Sequence, residues 1–192
     1  MIGLIDCAKL IMASNEAKEM GLELIELISI GLLLKEGLGR TAISKRLEYR
    51  ERLVREAIDK LKSSDRIISL LGLLEDFNIV EINAAWLKCK PVFYGHFNPT
   101  LLKEIGNKVV ALRDYLVIFS GDPNKVEIIG LLYDRELKYP GLPIELSEPY
   151  HNLVGLINGT NGVLLCWRNY RKYTDDSILL ASLSSLCRLI NI

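Results

Sequence analysis

The stretch TAISKRLEYRERLVREAIDKLK, residues 41–62, limits the possible folds of this chain more than any other feature. Its second part repeats apolar side chains at positions i, i+3, i+4 and i+7, which is the spacing of one helix face. These side chains are Val54, Ala57, Ile58 and Leu61. We therefore predict a helix over residues 51–63 and a short helix over residues 41–47, with residues 48–50 as the turn between them.

The segments on either side of this helix pair complete the element order of a winged helix-turn-helix. Upstream, residues 16–36 predict a helix that is apolar nearly all round in its second half, and Gly37 and Gly39 stop it. Downstream, RIISLL (66–71) and FNIVEIN (77–83) predict two strands of a hairpin, the wing. Helix, short helix, turn, helix and hairpin then follow one another along the chain.

The C-terminal half alternates helix and strand patterns. Its predicted elements are a helix at 98–120, a strand at 125–134, a turn or short strand at 135–143, a helix at 145–156, a strand at 161–167 and a helix at 175–190. The predicted fold class is therefore α+β. An N-terminal winged helix-turn-helix domain, residues 1–90, precedes a small C-terminal α+β dimerisation or effector domain, residues 91–192.

The helix predicted at residues 98–120 carries a heptad seam. Asn98 can cap its start and Pro99 suits its first turn. The seam consists of Leu102, Ile105, Val109, Leu112, Leu116 and Phe119. Such a seam fits a dimer helix and fits equally well an amphipathic helix that packs on its own domain.

Residues 40–66 carry a local excess of positive charge, with nine basic and five acidic side chains, in a chain whose formal net charge is zero. In a helix-turn-helix the second helix enters the major groove, and surrounding basic side chains hold phosphates. We therefore predict double-stranded DNA as a partner and assign DNA contacts to seven residues. They are Arg40, Thr41, Lys45, Arg50, Arg52, Arg55 and Lys62.

Acidic side chains one helical turn away favour a different interpretation. Each can neutralise a basic neighbour along the helix surface for roughly 0.2–0.5 kcal/mol. The pairs at this spacing are Arg52 with Glu56, Arg55 with Asp59 and Glu51 with Arg55. The alternative function is thus a winged-helix protein–protein interaction module without DNA binding. A continuous positive face would indicate DNA binding, whereas an exposed apolar patch would indicate the interaction module.

Residues 30–82 resemble the winged helix-turn-helix domains of bacterial and archaeal transcription regulators. The resemblance rests on small apolar residues in the short helix, Leu47 before the turn, the apolar face of the next helix and the strand after it. It departs at the turn, where Glu48 and Tyr49 replace the common glycine, and at Asp65, where a glycine usually precedes the wing strand.

The whole chain resembles, more loosely, archaeal proteins that join a winged helix to an uncharacterised C-terminal α+β domain. The segments that carry this likeness are ALRDYLV (111–117), GLLYD (130–134) and YPG (139–141). The resemblance to winged helix-turn-helix regulators implies a sequence-specific DNA-binding transcription regulator, homodimeric, with a small-molecule effector as a further candidate partner. Aromatic and polar residues that could line an effector pocket are Tyr133, Tyr139, Tyr150, His151, Trp167 and Tyr170.

No sequence pattern indicates an enzyme, a metal site or a cofactor. Cys166 and His151 would form a nucleophile–base pair only if the fold brought them together. Asp175 and Asp176 resemble an acid pair, yet acidic residues also belong at the start of a helix. We therefore expect no catalytic residues, no metal ligands and no cofactor.

The chain is predicted to be a cytoplasmic protein with reduced cysteines. No two cysteines have a metal-ligand spacing, so we expect reduced, mostly buried thiols. The apolar run Leu27–Leu34 is too short to span a bilayer, and Asp6 and Lys9 interrupt the apolar start, so we expect neither a membrane partner nor a signal peptide. The absence of glutamine and the abundance of Ile and Leu lean towards a heat-adapted source.

Overall fold

The computed structural model describes residues 4–63 and 68–190, which form an α+β fold with one five-stranded antiparallel sheet. The helices are α1 (Cys7–Glu19), α2 (Leu24–Lys35), α3 (Arg40–Leu47), α4 (Glu51–Ser63), α5 (Ile68–Asp76), α6 (Pro99–Asn107), α7 (Val109–Ser120), α8 (Ile144–Ser147) and α9 (Thr174–Ile190). The strands are β1 (Asn78–Glu81), β2 (Lys90–Gly95), β3 (Val126–Tyr133), β4 (Glu136–Lys138) and β5 (Asn161–Trp167), in the sheet order β1-β2-β5-β3-β4, and a 3₁₀ helix (Glu148–Leu156) follows α8. The α+β class predicted from the sequence is confirmed.

The central strand β5 shows how the sheet separates two cores. Successive side chains of a strand point to opposite faces. Val163, Leu165 and Trp167 are fully buried against the helices, whereas Leu164 and Cys166 are fully buried in a second cluster on the other face. This second face is covered by residues 82–89, the loop after β4 and the 3₁₀ helix. Both faces are thus closed, which accounts for the apolar run NGVLLCW.

The last helix, α9, connects the N-terminal helices to the sheet, and it packs against α1, α2 and α7. Ser177 on α9 and Ser29 on α2 are joined by a hydrogen bond of 2.8 Å between their hydroxyls. In addition, β1 pairs with β2. These contacts cross the boundary predicted between residues 90 and 91, and the division into two domains stays a prediction.

The described residues do not form the hairpin predicted as a wing. Residues 68–71, expected as a strand, belong to helix α5, and residues 66 and 67 lie outside the described part of the chain. The strand expected at residues 77–83 is present as β1, but its partner is β2, with Asn78 opposite Gly95. The segment therefore adds an edge strand to the large sheet.

Helical spacing and a cap explain why α5 forms. Leu70, Leu73 and Leu74 follow the i, i+3, i+4 pattern and are buried in the core. The carboxylate of Glu16 on α1 accepts hydrogen bonds from the backbone N–H groups of Ser69 (3.2 Å) and Leu70 (2.9 Å). These bonds satisfy donors that the first turn of a helix leaves free. A short apolar run fits a strand and a helix equally well. The packing of α5 on the core therefore determined that this segment is a helix.

The helix predicted at residues 16–36 is divided into α1 and α2. Between them Gly21 has a φ of +67°, a left-handed conformation that glycine adopts without a steric cost. Its N–H donates to the carbonyl of Lys18 at 2.9 Å. Glu23 and Glu26 then form a capping box that starts α2. Glu23 and Glu26 therefore mark the start of the second helix.

The helix predicted at residues 98–120 begins as expected but breaks at Lys108 into α6 and α7. The Asn98 side chain accepts the N–H of Thr100 at 2.8 Å. The heptad seam faces inward: Leu102, Ile105, Leu112 and Leu116 are buried, and Val109 and Phe119 pack on the same core. At this face the helix packs on its own chain, and the seam is not a dimer contact.

All four cysteines form disulfides, so the expectation of reduced thiols is wrong. Cys7 is bonded to Cys187, and Cys89 is bonded to Cys166. The partners are 180 and 77 residues apart, which is why spacing along the chain did not reveal them. The pairing also removes Cys166 as a nucleophile.

Within the described residues no helix is both long and apolar enough to cross a membrane.

Candidate nucleic-acid interface

Helices α3 and α4 are joined by a three-residue turn that closes without glycine. Glu48 takes the left-handed conformation, with a φ of 58°, at the end of α3. The backbone N–H of Tyr49 donates to the carbonyl of Ser44 at 3.2 Å, and the Ser44 hydroxyl donates to the carbonyl of Tyr49 at 2.7 Å. This pair of hydrogen bonds stabilises the turn and replaces the glycine expected from related sequences.

Helix α4 has the two faces that its sequence predicts. Val54, Ala57 and Leu61 are buried, and Ile58 is half-buried against the same core. The opposite face is polar and exposed. The amphipathic assignment of residues 51–63 is therefore confirmed.

All seven side chains predicted to contact DNA are exposed to solvent. Arg40, Thr41 and Lys45 lie on α3, Arg50 lies in the turn, and Arg52, Arg55 and Lys62 lie on α4. The structure thus gathers them on two consecutive helices and their connection. Among the described residues, none of the large apolar side chains that are exposed belongs to α3 or α4.

Two of these arginines are paired with glutamates. The Nε of Arg40 lies 2.9 Å from Oε1 of Glu51, and the Nε of Arg52 lies 2.9 Å from Oε1 of Glu56. The hydrogen bond from Arg52 lowers the pKa of Glu56. The Arg52–Glu56 pair was expected from its spacing. In the described part of the chain Arg55 has no carboxylate partner, so its guanidinium is available to an anionic ligand.

Tyr173, which the sequence did not single out, joins α2 and α3 to the loop between β5 and α9. Its hydroxyl donates to the carboxylate of Glu36 after α2, and this bond lowers the pKa of Glu36. The guanidinium carbon of Arg46 on α3 lies 5.3 Å from the centre of the Tyr173 ring, a cation–π distance. Lys172 lies 3.3 Å from Glu36. The orientation of α2 and α3 is therefore tied to the loop between β5 and α9.

The acid pair at the start of α9 is buried and bonded within the chain. Oδ1 of Asp176 accepts hydrogen bonds from the hydroxyls of Tyr94 (2.9 Å) and Tyr170 (2.8 Å), and Oδ2 accepts the N–H of Tyr173 (2.8 Å). Asp175 forms an ion pair of 2.8 Å with Lys125. Burial raises the pKa of both carboxyls. Both carboxylates thus anchor the first turn of α9.

The titration of Asp176 predicts a measurable pH dependence. Because folding raises its pKa, the folded protein binds this proton more tightly than the unfolded chain, whose aspartate has a pKa of about 3.9. Its contribution to stability therefore increases as the pH falls from neutral towards about 4. We expect the wild type to gain stability relative to Asp176→Asn over this range, measured by urea unfolding at several pH values. A pH-independent difference would contradict this assignment.

The aromatic residues expected around an effector pocket are partly core residues. Trp167 is fully buried, and Tyr139 and Tyr150 are buried beneath the cover of the second sheet face. A cavity of about 330 Å³ lies at one end of the sheet instead, and none of the expected aromatic residues lines it. Its polar lining consists of Asn78, His96, Asn158, Thr160 and Asn161.

Comparison with known proteins leaves the chain without a family assignment. No protein-family model matches it, and no curated protein matches it. Among solved structures, a hypothetical protein from Pyrococcus horikoshii OT3 aligns over 88% of this chain and 92% of its own, with 18% identity and a TM-score of 0.46. This distant likeness carries no functional argument. The resemblance to winged helix-turn-helix regulators therefore stays a prediction.

Proposed function

We propose that the chain is a sequence-specific DNA-binding transcription regulator that acts as a homodimer and reads the major groove with α4. One observation carries the proposal: α3, the turn and α4 present all seven candidate side chains to solvent, and this surface lacks a large exposed apolar side chain. Polar, positively charged surfaces bind phosphates, whereas protein-docking surfaces contain apolar anchors.

The arginines differ in their expected roles. Arg55 lies on the exposed face of α4 and has no carboxylate partner in the described part of the chain, so its fork of donors can bind the O6 and N7 atoms of guanine. Arg40 and Arg52 must first leave Glu51 and Glu56. We therefore assign base contact to Arg55 and phosphate contact to the paired arginines. Since the described residues do not form the hairpin, the proposal relies on α3 and α4 without a wing.

Fluorescence anisotropy of labelled duplex DNA, including DNA upstream of the chain's own gene, tests the proposal. We expect binding that is tighter on some sequences than on others. The logarithm of affinity should fall linearly with the logarithm of salt concentration, with a slope of about −0.9 for each phosphate contacted. Absence of binding to every duplex at low salt would refute DNA binding.

Substitution of the α4 arginines gives a quantitative prediction. Arg55→Ala should weaken specific binding by about 1–3 kcal/mol, the usual value of a bidentate base contact. Arg52→Ala should mainly reduce the salt slope, because Arg52 is assigned to phosphate. Arg135→Ala, in the exposed β3–β4 turn, removes the same charge elsewhere and serves as the control. Unchanged affinity in both α4 variants would remove this helix from the interface.

The alternative is a protein–protein interaction module built on the same helices. The ion pairs Arg40–Glu51 and Arg52–Glu56 favour it, because they neutralise two of the seven candidate residues. A module of this kind would use the same exposed face for polar contacts. It predicts no salt-dependent DNA binding, so the anisotropy experiment separates the two functions.

The regulator role implies a cytoplasmic location beside the DNA. Disulfides are rare in that compartment except in hyperthermophiles, whose intracellular proteins are disulfide-rich. The two disulfides, the absence of glutamine and the abundance of Ile and Leu fit such a source together. Effector binding, in this proposal, occurs in the C-terminal half.

A further inference from the structure

The four most exposed of the large apolar side chains in the described part of the chain all lie on α7 and α8. They are Ile144 (79% exposed), Val110 (70%), Ile118 (67%) and Leu146 (60%). Single exposed apolar residues are ordinary, but a concentration of them on adjacent elements marks an interaction surface. We call these four residues the α7–α8 surface.

Helix α7 is apolar on two faces. Leu112 and Leu116 are buried in the core. On the outer side, Val110, Val117 and Ile118 follow the spacing i, i+7, i+8, which forms a second stripe. A helix that packs on only one side of a monomer does not need this stripe. The outer face of α7 is therefore a candidate contact surface.

The turn that precedes α8 lies beside the start of α7. Val110 and the turn at residues 140–142 border the same cleft. Helix α8 starts two residues after this turn, at Ile144. The start of α8 therefore follows within a few residues of the cleft that Val110 borders.

The charges on the outer face of α7 suit a second copy of the chain. Arg113 and Asp114 are adjacent and exposed. The Nη2 of Arg113 donates to the carbonyls of Val126 (3.1 Å) and Glu127 (3.0 Å), which holds the guanidinium near the surface. In the described part of the chain neither residue has an ion-pair partner. A cation next to a carboxylate is self-complementary across a two-fold axis, where residue i meets residue j in both directions.

We propose that the α7–α8 surface binds the same surface of a second copy, with the two α7 helices antiparallel and Arg113 of each copy facing Asp114 of the other. A helix of this length spans about 18 Å, too little to bury the roughly 1,200–2,000 Å² of a stable interface by itself. Ile144 and Leu146 on α8 extend the contact. The inference rests on the homodimer of the proposed function and supplies its contact surface.

Light scattering after size-exclusion chromatography, over a range of concentrations, tests the apolar part. The wild type should be a dimer, and Val110→Asp/Ile118→Asp should dissociate at least about 100-fold more readily, because each copy would bury two unpaired charges. Met12→Asp/Leu71→Asp replaces two other exposed apolar residues, on α1 and α5, which pack on each other, and should leave the dimer intact. Circular dichroism checks that both variants are folded.

A charge exchange tests the arrangement itself. Arg113→Asp alone places four carboxylates at the two-fold axis, and Asp114→Arg alone places four guanidinium groups there, so each variant should weaken its own homodimer. Mixed in equal amounts, the two variants should form a heterodimer, because every facing pair is again opposite in charge. Native mass spectrometry distinguishes the heterodimer from the two homodimers by mass.

Three outcomes would overturn the inference: a wild type that stays monomeric at about 100 µM, an aspartate variant that dimerises like the wild type, or a mixture without heterodimer. None of these measurements uses DNA. A wild-type dimer that binds no duplex would therefore support this surface and refute DNA binding. A wild type that binds DNA as a monomer would support DNA binding and refute this dimer surface.

Discussion

Replacing Cys7 and Cys187 together by alanine is expected to lower the free energy of unfolding by about 3–5 kcal/mol. The bond joins the start of α1 to α9 across 180 residues, so it restricts the unfolded chain over almost its whole length. Loop-closure entropy makes such long loops the most stabilising to cross-link. Guanidinium unfolding of the oxidised wild type and the variant measures the difference.

The second disulfide serves as a matched comparison. Cys89→Ala/Cys166→Ala opens a loop of 77 residues and should cost slightly less, because the entropy depends only on the logarithm of loop length. Reduction of the wild type should reproduce the combined loss. Four titratable thiols in the denatured, unreduced wild type would show that the bonds do not form and would restore the expectation of reduced cysteines.

Lys125→Met is expected to destabilise the protein by about 3–5 kcal/mol, because it leaves a buried carboxylate without its cation. Lys125 is buried, and its Nζ lies 2.8 Å from Asp175, which is fully buried. Asp175 would keep the N–H of Arg171, at 2.7 Å, while its Oδ1 already lacks a hydrogen-bond partner. Chemical unfolding at neutral pH measures the loss.

The exposed pair Lys138–Glu136, at 3.1 Å, supplies the control. Lys138→Met should change stability by less than about 1 kcal/mol, the usual range for a surface ion pair. Adding Asp175→Asn to Lys125→Met should recover part of the loss, because the unpaired charge is then gone. Equal effects of Lys125→Met and Lys138→Met would contradict the importance of burial.

The helix pair shows how far the sequence predicts the candidate site. The positions of Val54, Ala57 and Leu61 define the buried face of α4, and the same periodicity places Arg52 and Arg55 on the solvent side. Amphipathic spacing is a local property, so the faces of α4 predicted from the sequence agree with the structure. The ion pair between Arg40 and Glu51 was not predictable, since Glu51 lies beyond the turn. The two side chains come together only when α3 and α4 pack.

The wing shows where local patterns fail. The apolar residues of α5 fit a strand or a helix over so short a length, and contacts with α1 decided between them. The partner of β1 is β2, which comes after a loop, and β5 then inserts between β2 and β3. Strand pairing depends on contacts between distant residues, which a hydrophobic pattern does not specify.

By itself, the sequence determined the α+β class, most helix and strand positions, and the exposure of the basic residues on α3 and α4, because these follow from side-chain periodicity within one element. Only the tertiary structure decided the disulfide partners, the buried Lys125–Asp175 pair and the attachment of α3 to Tyr173. It also turned the heptad seam of α6 and α7 inward and left a second stripe outside. Each of these depends on which distant segments pack together, and packing of the whole chain is a property that no local spacing contains.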